Sequence, residues 1–78
     1  MKSQPILTLN ELKLGCKAWL NRAEMGRKLE KRLLALGFSN AIPLQVLHKR
    51  PGGLVVGIGN ARIALGDDLA EQVKVVVE

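Results

Sequence analysis

Residues 42–65, IPLQVLHKRPGGLVVGIGNARIAL, read as three consecutive strands separated by two tight turns. Ile42, Leu44, Val46 and His48 alternate with Pro43, Gln45, Leu47 and Lys49. That period of two sends successive side chains to opposite faces of a sheet. Pro43 has no N–H to give to a ladder, so it places this strand at an edge or marks its first residues. Arg50-Pro51-Gly52-Gly53 is a turn by its dipeptides, and the β-branched run Leu54–Ile58 follows it. Gly59-Asn60 supplies a second turn, since both residues tolerate positive φ, and Ala61–Leu65 forms the next strand. Two hairpins in succession make a meander.

On the C-terminal side, Gly66–Ala70 reads as an N-capped helical turn and Val73–Val77 as a final strand. On the N-terminal side the period changes. Leu29, Leu33 and Leu36 fall at i, i+4 and i+7 and stack on one face of a helix over residues 26–36, with Gly37 as its C-terminal stop. Before it, Cys16, Ala18 and Leu20 alternate with Lys17, Trp19 and Asn21, which predicts a strand over residues 16–23. Thr8 and Glu11 have the spacing of a capping box over a short helical turn. Leu9, Leu12 and Leu14 around it suit an apolar plug over one end of a barrel.

The order strand, helix, three-stranded meander, helical turn, strand predicts a mainly β, five-stranded SH3-like barrel with one short helix after the first strand. In an OB-fold the helix falls later, between the third and fourth strands. The expected core is Leu29, Leu33, Leu36, Val46, Val56, Ile58, Ile63, Leu65 and Val75. At 78 residues the chain accommodates one domain, residues 1–78, and 47% apolar residues supply a dense aliphatic core in place of a covalent staple.

Cys16 is the single cysteine, so no internal disulfide forms, and a reducing compartment is expected. With His48 the single histidine, a tight transition-metal site lacks its three or four converging donors. No metal site and no cofactor are expected. No apolar run reaches the roughly 18–20 residues of a membrane span. Asn10, Glu11 and Lys13 interrupt residues 6–14, so no export signal is expected and the location reads as cytoplasmic. No Ser-His-Asp or Cys-His set is complete, and Asp67-Asp68 sits at a helix start, so no enzymatic activity is expected. Gly57-Ile58-Gly59-Asn60 lacks the Gly-Lys-Ser/Thr of a phosphate loop and reads as a hairpin turn.

Several of these residues carry a family resemblance. Leu9, Leu12 and Gly15, then Leu29-x-x-x-Leu33-x-x-Leu36-Gly37-Phe38, resemble the FeoA pattern of a leucine-rich helix ending in a Leu/Met-Gly-Leu/Phe turn. Residues 53–65, followed by Leu69-Ala70 and Val73-x-Val75, are similar to that family's strand, turn and strand ending in Ala-Leu. Asn40-Ala41 stands where the family commonly has Pro-Gly. The resemblance implies a cytoplasmic helper of bacterial ferrous iron uptake acting on FeoB, the GTPase-containing membrane transporter. FeoA-like domains also end the iron- and manganese-dependent repressors of the DtxR class, as SH3-like interaction modules. No winged-helix portion is present here, which favours the stand-alone adaptor.

Charge supplies the candidate surface. Residues 1–50 hold ten cations against three acids, a surplus of seven, and residues 51–78 hold two against four; together these give the net charge of +5. The helix concentrates Arg27, Lys28, Lys31 and Arg32, a face suited to an acidic protein surface. Trp19, with neighbours Ala18 and Leu20 facing inward, is the candidate anchor beside it. Nucleic acid is the second reading. The basic balance favours it, but Trp19 and Phe38 are the only aromatics for base stacking.

Overall fold

Six strands joined by five ladders form within residues 6–77, the part of the chain that the computed structural model describes. The strands are β1 (Ile6–Thr8), β2 (Lys17–Leu20), β3 (Leu44–Arg50), β4 (Gly53–Ile58), β5 (Ala61–Gly66) and β6 (Lys74–Val77). Helix α1 (Arg27–Leu36) joins β2 to β3, and helix α2 (Asp67–Gln72) joins β5 to β6. Single 3-10 turns occupy Leu9–Glu11 and Arg22–Glu24. All neighbouring strands are antiparallel, in the spatial order β1-β6-β2-β3-β4-β5.

This corrects the expected five-stranded barrel. The additional strand is β1, three residues long and too short for alternation to show; it forms because β6 lies beside it, with Ile6 opposite Val76 and Thr8 opposite Lys74. Helix α1 therefore follows the second strand. The ladder ends at β1 on one side and β5 on the other, so the sheet is unclosed. The meander of β3, β4 and β5 is where the alternation and turn residues place it.

Strand limits follow the availability of partners. Strand β2 stops at Leu20, short of residue 23: Asn21 N–H donates to Lys74 O at 2.9 Å, and β6 offers nothing beyond. Strand β3 begins at Leu44 and carries a bulge at Leu47, because Val46 pairs with Val56 while His48 pairs with Val55. One extra residue reverses the alternation after it. His48 therefore shares the outer side of the sheet with Val55 and is exposed, where simple alternation puts it on the side of Val46.

The inner face holds one core. Ala18, Leu44, Val46, Leu54, Val56, Ile58, Ile63, Leu65 and Val75 cluster there with Leu33, Phe38, Leu9, Leu12, Ala70 and Val73. Each fully buried aliphatic contributes about 1.5–3 kcal/mol by leaving water. Leu9 and Leu12 are the expected plug, tied down by Leu9 N–H to Val73 O at 3.1 Å. The Glu11 carboxylate accepts from Thr8 N–H at 2.9 Å, as the capping-box spacing predicts. Leu14 is not part of the plug and is 57% exposed.

Two of the three helix leucines meet the core. Leu33 is fully buried and Leu29 is partly buried, but Leu36 is 43% exposed, against expectation. The cause is the turn that ends α1. Gly37 takes φ +113°, a left-handed conformation open to glycine, and Phe38 N–H returns to Leu33 O at 3.0 Å. The chain folds back so that Phe38, 3% exposed, fills the core below the last helical turn and Leu36 is left at its rim.

Candidate functional site

Helix α1 starts where Gly26 stays extended and Glu30 enters the first turn, the end at which a negative charge meets the helix dipole favourably. Glu30 pairs with Arg22, an exposed contact that contributes at most about 1 kcal/mol. Arg27, Lys28, Lys31 and Arg32 are all exposed on this helix. The spacing gives two columns, Arg27 with Lys31 and Lys28 with Arg32, each one helical turn apart.

The two columns have different surroundings. Lys28 and Arg32 line a groove of about 580 Å³ whose walls also include Glu24 and Glu71. Arg32 borders a further groove with Asp68. Acids of the chain itself thus temper that column. Arg27 and Lys31 line neither groove and take part in no ion pair among the described residues. They are the part of the basic face left open to a partner.

Trp19 lies elsewhere. In β2 it is opposite Val76, which is in turn opposite Ile6, and the three form an apolar row on the outer face of the sheet. Its neighbour Ala18 is fully buried on the inner face, so the outward placement agrees with alternation, and Trp19 is half-buried. Leu33 joins α1 to the inner face, and Trp19 lines neither groove that Arg32 lines. The structure does not bring Trp19 together with the four cations.

A third surface has no local signature in the sequence. A groove of about 610 Å³ on the outer face is lined by Lys17, Gln45, Gly57 and Arg62, with Ile42 and Leu47 on its walls. These residues come from four strands and meet only through their register. Gly57, set between Val56 and Ile58 inside a strand, is the one local sign of it.

Among the described residues, no group of three or more His, Cys, Asp and Glu side chains could hold a metal ion. Cys16 is half-buried, His48 is exposed on the outer side, and Asp67 and Asp68 open α2. Anaerobic calorimetric titration with ferrous iron is expected to show no stoichiometric micromolar site; one that disappears in His48→Ala or Cys16→Ser would contradict this. No helix of the described residues is long and apolar enough to cross a membrane.

Comparison with known proteins agrees with this architecture. The crystal structure of an iron uptake regulatory protein, FeoA, superposes with a TM-score of 0.75 at 25% identity, covering 95% of this chain and 99% of that one. A manganese-dependent transcriptional repressor superposes with a TM-score of 0.74 at 23% identity, covering 100% of this chain but 45% of the repressor. A manganese complex of a repressor of that description gives 0.73 at 22% identity, with 99% and 39% covered. The chain thus spans less than half the length of the repressor chains, and their likeness is one of fold. No curated protein matches. The FeoA domain pattern, however, matches residues 7–77, which takes in every strand of the sheet but the first residue of β1, and the chain belongs to the FeoA domain family.

Proposed function

We propose that the chain is a non-catalytic cytoplasmic adaptor of ferrous iron uptake that acts by contact on the GTPase part of FeoB. The observation that carries this reading is the family match over residues 7–77, joined to likeness over nearly the whole of both chains to an iron uptake regulatory protein. The surface on offer supports it. Arg27, Lys28, Lys31 and Arg32 are exposed on a helix anchored by Leu33, and Arg27 and Lys31 are in no ion pair among the described residues. Such a column orients and accelerates encounter with an acidic surface more than it raises final affinity. Trp19 is a separate anchor on the sheet face, since half-buried tryptophan offers a large contact area at low entropic cost.

The test is Arg27→Glu with Lys31→Glu. Both side chains are exposed, so stability should change by no more than about 0.5 kcal/mol. Association with the cytoplasmic part of FeoB should slow by about tenfold and lose much of its salt dependence. Unchanged association overturns the assignment of the helix. Salt-dependent oligonucleotide binding that the same variant removes would favour the nucleic-acid reading instead.

A further inference from the structure

The groove on the outer face is built by register. Lys17 of β2 stands opposite Gln45 of β3, Gln45 opposite Gly57 of β4, and Gly57 opposite Arg62 of β5. The row crosses four strands, with a cation at each end. Between the cations lie Gln45 and an apolar patch: the bulge sets Leu47 across Gly57 so closely that a Cβ on Gly57 would lie 2.8 Å from Leu47 Cδ1. Ile42, 40% exposed, walls the same groove. The Gln45 side-chain amide is held by donating to Gly15 O at 3.1 Å.

Charge identifies the occupant. Among the described residues no acid lines this groove, and neither Lys17 nor Arg62 is in an ion pair. The grooves beside α1, by contrast, each carry acids. Three inter-strand spacings of about 4.8 Å put the backbones of Lys17 and Arg62 about 14 Å apart. An extended chain advancing about 3.4 Å per residue covers that distance in about four residues.

We propose that this groove docks an extended segment of a protein partner that carries two carboxylates four residues apart with apolar side chains between them. One carboxylate meets Lys17, the other meets Arg62, and the apolar residues lie on Leu47 and Ile42. Trp19, two residues from Lys17 on the same strand face, extends the contact. The inference rests on the reading that the chain works by protein contact, and it assigns that contact to a face which the basic helix does not share.

The test uses a fluorescein-labelled peptide, Ser-Glu-Leu-Pro-Val-Glu-Ser, and its counterpart with Gln for both Glu, in anisotropy titrations at low salt. The acidic peptide should bind saturably and the neutral one about tenfold more weakly. Lys17→Ala and Arg62→Ala should each weaken the acidic peptide by about tenfold, the scale of one lost charge-assisted contact, with melting temperatures unchanged. Equal binding of the two peptides, no binding of either, or wild-type affinity in both variants overturns the proposal. So does a single-stranded oligonucleotide that binds the wild type more tightly than the peptide and depends on the same two cations. The same proteins are then tested against the cytoplasmic part of FeoB. If FeoB binds the wild type, Lys17→Ala and Arg62→Ala alike while no peptide binds, the groove is wrong and the adaptor reading stands. If the peptide binds through Lys17 and Arg62 but FeoB does not bind the wild type, the groove stands and the FeoB reading is wrong.

Discussion

Leu33→Ala is expected to lower the unfolding free energy by about 2–5 kcal/mol, the range for truncating a fully buried leucine. At about 0.05–0.15 kcal/mol per residue, a domain of this size has about 4–12 kcal/mol in all. One such loss therefore leaves the native state marginal. The size of the loss follows from where Leu33 sits. It is the fully buried side chain of α1 and belongs to the single core cluster, and Phe38 N–H bonds to its carbonyl. Its removal leaves a cavity that the strands cannot close without giving up their register. Leu36→Ala, three residues away, should cost less than about 1 kcal/mol, because that side chain already lies 43% exposed at the rim. Urea denaturation at constant m-value compares the two directly. Equal losses would mean that α1 does not dock as described.

The contrast between these leucines shows how far the sequence is informative. The spacing of Leu29, Leu33 and Leu36 correctly gives a helix and its inward face, since periodicity is a property of the helix alone. How deep each residue sits depends on the crossing of the helix over the sheet and on the turn at Gly37, which seats Phe38 in the core. Neither is written in the spacing. The same distinction explains β1: Ile6–Thr8 has no pattern of its own and becomes a strand by pairing with β6, more than 60 residues away. The meander was legible because its turns and alternation are local.

The candidate surfaces divide in the same way. The four cations of α1 could be read from the chain as a cluster, because one helix presents them. Glu24, four residues before Lys28, is as legible as the cations; that Glu71 and Asp68 also border the grooves of Lys28 and Arg32 is not, because those two acids come from α2. Trp19 was placed outward by the burial of Ala18, but alternation gives a face and not a neighbour, and the basic helix is not its neighbour. Lys17 and Arg62 are 45 positions apart and acquire a common groove only through the register of three ladders, one of them bulged.

Gly53→Ala is expected to be the most damaging of the conservative changes, at about 3 kcal/mol or more. A Cβ on Gly53 would stand 2.5 Å from the carbonyl oxygen of Leu65, closer than such atoms approach, and the obstacle is backbone. Gly53 pairs with Gly66 across the β4–β5 ladder, so relief requires the two strands to part at that end. Parting them pulls on helix α2, because Asp67 N–H donates to Gly52 O at 3.0 Å and this bond ties the first residue of the helix to the β3–β4 turn. Ala70 and Val73, both fully buried, lie just beyond, so the strain reaches the core. Gly57→Ala provides the comparison. Its Cβ would also be too close to a neighbour, at 2.8 Å, but that neighbour is the end of the Leu47 side chain, which can rotate away. Its cost should stay below about 1 kcal/mol, with Leu47 displaced over the outer groove. Thermal and urea unfolding of the two variants gives the ranking, and amide exchange in residues 66–73 locates the damage. If Gly53→Ala is as stable as Gly57→Ala, the close approach of β4 to the end of β5 is not a constraint that the fold depends on.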